Sequence, residues 1–368
     1  MSVLVLAGKI AACGRFDRTL LDGFGVPLET IDASGCYVTP GLIDPHEHLI
    51  GGSGERGFHS QTPAVRVTEL LAAGITTVVG CLGVDTTTKT MPALLAHARA
   101  FQHDGLGAWI YSGGYNVPPT TLTGSIRNDV LLIPEVVGAG EIALSDCRSS
   151  QPTLQELAAI VADVYVGGML SGKAGVTHVH VGDGPNRLRL LRELFEQYDI
   201  RPECVYPTHV ERHEALMEEA IALTNIGVTV DIDTVERDLA RWLRFYFDRN
   251  GDPSRLTISS DAAISSPRTL YEQIQQCVLY EGFTLEQVLP LVTTNPARVL
   301  KLHSKGRIAA GADADLLVID KKTFELRDVI VRGRPVIRNG ACTIVEAWTK
   351  GSNRRTHEGG TNAYTTSA

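Results

Sequence analysis

The sequence predicts an α/β protein, a (β/α)8 TIM-like barrel carrying a small β-sandwich domain built from both termini. Three observations predict it. Between residues 39 and 303, short apolar strand-like runs alternate with stretches whose apolar residues recur at helical spacing. These runs restart about every 30 residues, the length of one strand–helix unit, and eight follow one another. Residues 1–38 and 304–347 flank the series and are themselves strand-like, yet neither holds enough apolar surface for its own core. A doubly wound sheet accommodates the same alternation and stays as the alternative.

The first segment, VLVLAGKIAA, is a strand pair with a glycine turn. The eight barrel strands are then GLIDPHEH (41–48), ITTVVGCL (75–82), AWIYSG (108–113), EIALSD (141–146), VTHVHVG (176–182), CVYPTHV (204–210), VTVDID (228–233) and LTISSD (256–261). Helical patterns such as LQELAAIVADVYVGGML and RLRLLRELFEQY lie between them. After residue 303, ADLLVIDKKTFELRDVIVRGRPVIRNGACTIV returns to strands and turn glycines. Residues 348–368 are polar and poor in large apolar side chains, which predicts a disordered tail.

Composition narrows the function. The chain of 368 residues is 43% hydrophobic and 21% charged, the balance of a globular protein in water. A net charge of −8 argues against nucleic acid or an anionic membrane as the main partner. The 7 cysteines are scattered, odd in number and form no CxxC, which predicts reduced thiols in a cytoplasmic protein. MSVLVLAGKIAACGRF reads as a strand, since Lys9 interrupts its apolar part. No apolar run approaches the ~20 residues of a membrane span.

The chemistry begins at IDPHEHL. In a strand His46 and His48 point to one side, ~7 Å apart along the backbone. They are either a metal pair or two packed histidines. In a barrel of this type, active sites sit at the carboxyl ends of the strands. His46 and His48 end strand 1, His180 ends strand 5, His209 ends strand 6 and Asp261 ends strand 8. Glu141 begins strand 4. Neutral imidazoles and carboxylates suit Zn²⁺ and related divalent ions. Two ions need a bridging carboxylate, for which Glu141 is the candidate; a mononuclear site is the alternative. Asp261 could bind a metal and move the proton of the attacking hydroxide. Cys81, at the end of strand 2, is a minor candidate because thiolates bind zinc well. His178 shares the inner face with His180 but lies deeper. Histidines 59, 97, 103, 213, 303 and 357 fall in helices or loops, where solvated or locally bonded roles are expected. GSGERG (52–57) matches a dinucleotide fingerprint only literally, since no helix or ribose-binding acid follows it. The aromatics of RWLRFYFDRN sit at helical spacing and predict packing.

This arrangement resembles the amidohydrolase superfamily, and more closely its isoaspartyl (β-aspartyl) dipeptidases, peptidases of the M38 type. The likeness runs through PGLIDPHEHLIGGSGE, AGITTVVGCLG, GGYNVPPTTLTGSIRNDV, ALSDCRSSQPT, VGGMLSGKAGVT, PTHVERH, ISSDAAIS and GADADLLVID. It implies a dipeptide substrate, two zinc ions, a hydroxide held on the metals as nucleophile, and a homo-oligomer. It also implies that Glu55 holds the α-amino group and Tyr115 polarises the scissile carbonyl. Arg148 and Arg212 would clamp substrate carboxylates, and Ser265 would contact another carboxylate oxygen. Three positions depart from the pattern. Glu141 stands where relatives carry a carbamylated lysine, and its carboxylate is roughly 4 Å shorter in reach. Lys173 lies in a loop and is a poor substitute. Val84 replaces a threonine and Ser53 a glycine. These departures keep open another amide as substrate, a cyclic imide or hydantoin or an N-acyl amino acid.

Overall fold

The computed structural model describes residues 2–349 except Phe24 and Val26. Its inner strands are β1 (Leu42–Glu47), β2 (Ile75–Gly80), β3 (Gly107–Ser112), β4 (Val136–Leu144), β5 (Val176–Val181), β6 (Val205–Thr208), β7 (Val230–Asp233) and β8 (Leu256–Ser259). They form the TIM-like barrel. Strands β1 to β6 make one parallel sheet in chain order, and β7 pairs in parallel with β8. The strands are buried on both faces, as expected where helices cover a parallel sheet. In β5, VTHVHV alternates. Val179 and Val181 join the large core under the helices, while Val176 packs inside the barrel with Ile43, Val79, Tyr111, Val137 and Tyr206.

Two seams complete the ring. Between β8 and β1 a parallel bridge joins Glu47 to Ala262. There the Asp261 N–H donates to the His46 carbonyl at 3.1 Å and the His48 N–H to the Ala262 carbonyl at 3.2 Å. Between β6 and β7 no ladder runs among the described residues, and side chains join the strands instead. The buried Asp231 carboxylate accepts from Thr208 Oγ1 (2.9 Å) on β6 and from Thr257 Oγ1 (2.6 Å) and Ser259 Oγ (2.5 Å) on β8.

Strand β4 begins at Val136, five residues before the start expected from sequence. Glycines 138 and 140 obscure it, because glycine lowers strand propensity. Glu141 therefore lies late in β4, near its carboxyl end.

Helix Leu154–Ser171 is capped by Thr153, whose Oγ1 accepts from the Glu156 N–H at 3.2 Å. By length and composition this helix could cross a bilayer. Its Leu157, Ile160, Val161 and Val164 are instead buried in the barrel core. Helix Leu239–Asp248 likewise buries Trp242, Phe245 and Tyr246, the packing role expected for that aromatic run.

Both termini contribute to a sheet outside the barrel. Its antiparallel order is Ala341–Cys342, Arg334–Arg338, Leu326–Val331, Leu316–Asp320, Cys36–Pro40. Leu316 and Val318 face Ile10 of the hairpin Ser2–Leu6/Lys9–Gly14, while Leu317 and Ile319 face the barrel. That period of two lets one strand serve two cores. Ala347–Thr349 forms a short turn of 3-10 helix. The remainder of the tail expected to be disordered, residues 350–368, lies outside the described residues.

Candidate metal centre

Glu141 sits at the middle of the barrel mouth with one oxygen toward each pair of histidines. Its Oε1 is 3.5 Å from His46 Nε2 and 3.6 Å from His48 Nε2. Its Oε2 is 3.3 Å from His180 Nδ1 and 3.6 Å from His209 Nε2. Asp261 Oδ1 adds to the first side, 3.4 Å from His46 Nε2 and 3.2 Å from His48 Nε2. Its Oδ2 lies 4.0 Å from His209 Nε2. The five residues expected at strand ends thus converge with Glu141, which was expected at the start of its strand.

A local irregularity of β4 brings Glu141 to this point. The register against β5 shifts between Ala139 and Ile142, a bulge that re-aims the side chain. Gly140 has φ +146°, and a Cβ there would stand 2.6 Å from the His178 carbonyl oxygen, so only glycine fits. The bulge places the short glutamate beside all four histidines despite its limited reach.

These donors fit divalent metal ions. Both ring nitrogens of His46 and Asp261 Oδ1 are buried without a hydrogen-bond partner, which is costly unless something binds them. Ligand bonds of ~2.0–2.1 Å at tetrahedral angles separate neighbouring ligand atoms by roughly 3.3 Å, close to the spacing observed. Sets of donor atoms within 4.8 Å of one another are His46–His48–Cys81–Glu141, His46–His209–Asp261, His209–Glu211–Asp233 and Glu141–His180–His209. Glu141 is common to the first and last.

A second ring of acids orients the histidines. His209 Nδ1 donates to Asp233 Oδ2 at 2.6 Å, and His180 Nε2 pairs with Asp146 Oδ2 at 2.8 Å. In both, the nitrogen facing Glu141 is the other one. Burial pushes the His209 pKa down, but its hydrogen bonds to Asp233 and Glu141 outweigh this and raise it to about 9. Asp146 is held below the usual carboxylate range by its hydrogen bonds from Arg148 and then His180. Burial drives Glu211 well above that range, and the negative Asp233 adds to it. Glu211 is thus a neutral acid beside Asp233. Sequence reasoning missed Asp146, Glu211 and Asp233. The signal was present, since acids at or just past the carboxyl ends of β4, β6 and β7 meet the same rule that found Asp261.

Cys81 Sγ lies 3.7 Å from His48 Nδ1 and 4.0 Å from Glu141 Oε1. His178 is inside the barrel but turned elsewhere, with its Nδ1 paired to the Tyr206 carbonyl at 2.9 Å. Burial holds its pKa well below the imidazole range. His97 pairs with the Val65 carbonyl at 3.1 Å and His213 accepts from the Leu216 N–H at 3.2 Å, both local roles.

The loop residues expected at the rim fall into two groups. Tyr115 OH is 2.8 Å from His180 Nδ1, and the Arg148 guanidinium lies over the Tyr115 ring. Each nitrogen of the Arg148 guanidinium has a carboxylate partner: Nε and Nη2 bind Asp146 at 2.9 and 2.7 Å, and Nη1 binds Glu55 Oε1 at 2.6 Å. Arg212 Nε donates to the Val181 carbonyl at 2.7 Å. Arg212 lines a cavity of about 300 Å³ together with His209, Glu211, Asp233, Trp242 and Asp261. Ser265 lies after β8 with a buried hydroxyl that has no hydrogen-bond partner, and no hydrogen bond ties it to the cluster.

A barrel with imidazoles and carboxylates gathered at its mouth is the architecture of a metal-dependent hydrolase. The chain belongs to the amidohydrolase family, whose model matches residues 37–336. Its structure is similar to that of a β-aspartyl dipeptidase from Fervidobacterium islandicum AW-1, with a TM-score of 0.87 and 40% identity over 92% of this chain and 93% of that one. A structure of that enzyme in complex with the β-Asp-Leu dipeptide also superposes with a TM-score of 0.87, at 39% identity and 92% coverage of both chains. More distant is a dihydroorotase of Carboxydothermus hydrogenoformans, 23% identical over 83% of each chain. An adenine deaminase of Latilactobacillus sakei is 22% identical over 92% of this chain, which spans 54% of its length.

Proposed function

We propose that this chain is a metal-dependent dipeptidase that hydrolyses β-aspartyl (isoaspartyl) dipeptides. The observation that carries the reading is the 40% identity over 92% of the chain to a β-aspartyl dipeptidase. The rim supports it. Such a substrate carries one ammonium and two carboxylates, and Glu55, Arg148 and Arg212 are their charge complement. The Glu55–Arg148 pair is 53% and 31% exposed at its side chains. An exposed pair is worth about 0–1 kcal/mol, so exchanging it for two pairs with substrate costs little. Glu55 then takes the α-ammonium, Arg148 and Arg212 take the carboxylates, and Ser265 contacts a further carboxylate oxygen.

His46, His48, Glu141, His180, His209 and Asp261 would hold two divalent ions, with zinc suited to this donor set. Bound there, such ions supply Lewis acidity and a water that ionises near neutral pH. Burial and the neighbouring Glu141 hold the Tyr115 phenol well above its ordinary pKa. It therefore stays protonated and donates to the scissile carbonyl oxygen as negative charge develops. Asp261 accepts the proton of the attacking water and returns it to the leaving amine. A cytoplasmic location, reasoned from the unpaired cysteines, and a homo-oligomer belong to the same reading.

The test is release of aspartate by purified, zinc-loaded protein. β-Asp-Leu should be cleaved, and α-Asp-Leu, dihydroorotate, hydantoin and N-acyl amino acids should not. Turnover of a cyclic or N-acyl amide without any β-aspartyl dipeptide would overturn the substrate assignment. Elemental analysis should find two metals per chain, falling to one or none in Glu141→Ala.

A further inference from the structure

We propose that Cys81 is a metal ligand of this centre, a thiolate on the His46–His48 side. The inference rests on the metal-centre reading above and adds a donor to it. Cys81 follows β2 and is buried on the inner face of the barrel with Ile43, Val79 and Tyr111. The other buried cysteines, Cys204 and Cys277, belong to the apolar core outside it. Around Cys81 Sγ stand His48 Nδ1 at 3.7 Å, the ring nitrogen other than the one facing Asp261, and Glu141 Oε1 at 4.0 Å. One ligand atom each from His46, His48, Cys81 and Glu141 falls within 4.8 Å of the others. A zinc–sulfur bond of ~2.3 Å and a zinc–nitrogen or zinc–oxygen bond of ~2.0–2.1 Å at a tetrahedral angle put those ligand atoms roughly 3.6 Å apart. The separation from Glu141 Oε1, 4.0 Å, is near that value.

Gly83 keeps the approach open, since a Cβ there would stand 3.0 Å from His48 Cε1. The charge balance points the same way. Glu141 and Asp261 bring two negative charges against the four positive charges of two divalent ions, and a thiolate lowers the remainder. Coordination needs no further reagent: the thiol proton passes to solvent and a sulfur lone pair forms the bond. The competing role is a thiol that only accepts a hydrogen bond from His48 Nδ1–H, as Asp233 does for His209.

Cobalt(II) substitution separates the two. Wild-type protein loaded with cobalt should show a near-ultraviolet thiolate-to-cobalt charge-transfer band. Cys81→Ser should lose that band while keeping cobalt and its visible d–d absorption, and should bind zinc weaker by about tenfold or more. Cys147→Ser, at the exposed cysteine after β4, should keep the band. Identical near-ultraviolet spectra for wild type and Cys81→Ser would overturn the proposal and leave the metal-centre reading intact. Failure of the wild type to bind cobalt or zinc at all would remove both. X-ray absorption on the zinc-loaded wild type needs no variant, and should find one sulfur at ~2.3 Å; a shell of nitrogen and oxygen only would overturn the assignment.

Discussion

Asp233 decides which nitrogen of His209 faces the centre. Its carboxylate takes the Nδ1 proton at 2.6 Å and leaves Nε2 for Glu141 and whatever Glu141 binds. Asp233→Asn keeps the shape but removes the charge and lets the ring adopt the other tautomer. Such changes typically cost about 10–100-fold in metal affinity or activity. Zinc titration against a competing chelator should show that loss with the circular dichroism spectrum unchanged, and unaltered affinity would remove the orienting role. At this scale the sequence was informative wherever a strand could be recognised, because alternation then fixes a side chain's face. His46, His48, His180, His209 and Asp261 were legible for that reason. Asp146 and Asp233 stood in equally readable places, but their partners are imidazoles from other loops and strands, and such pairings are not written in local spacing. The Glu55–Arg148 contact, across 93 residues, was hidden for the same reason.

Two carboxylates of β7 cross the seam to β6, Asp233 at the mouth and Asp231 deeper in the barrel. Asp231 is fully buried, and desolvation raises its pKa to about 6 despite hydrogen bonds from Ser259, Thr257 and Thr208. A buried acid with a raised pKa binds its proton more tightly in the fold than in the unfolded chain. Its contribution to stability is therefore complete at acid pH and lost as pH rises through about 6. The size is about 2–3 kcal/mol. Urea denaturation of Asp231→Asn beside wild type should show the difference between them move toward the variant by about that amount from pH 4 to pH 8; an offset independent of pH would count against it. Element order and most strand positions followed from apolar runs and their period. The exceptions are informative. The first half of strand β4 is not legible because its glycines carry no β signal, and the bulge at Gly140 that aims Glu141 depends on the neighbouring strand.

Across the whole molecule, the barrel and the outer sheet meet at Lys305. Its ammonium is buried and bound to Asp315 and to Asp313, the latter at 3.1 Å. Asp315 also accepts the Arg332 N–H at 2.7 Å, while a Cβ on Gly107 of β3 would stand 3.2 Å from the ammonium. Removing one partner of a buried ion pair leaves an uncompensated charge, at a cost of about 3–5 kcal/mol. Lys305→Met should lower the unfolding free energy by that order, and the double variant with Asp315→Asn should recover part of it. Equal melting temperatures for wild type and Lys305→Met would show that the pair contributes little. The pairing of the two chain ends could be argued from sequence because neither end could bury its own apolar surface. Lys305 could not, since an isolated lysine in a polar stretch such as HSKGR reads as a solvated charge.

The pair β7–β8 is held to its neighbours by side-chain contacts on one edge and a single backbone bridge on the other. Among the described residues the backbone ladder of the ring is interrupted on both edges of this pair, and the 300 Å³ cavity beside Arg212 opens along it. Amide deuteration should accordingly proceed faster in Val230–Asp233 than in Val176–Val181. Breathing at this pair of staves would widen the entrance for a bulky guest, and would carry with it Asp233 and so the orientation of His209.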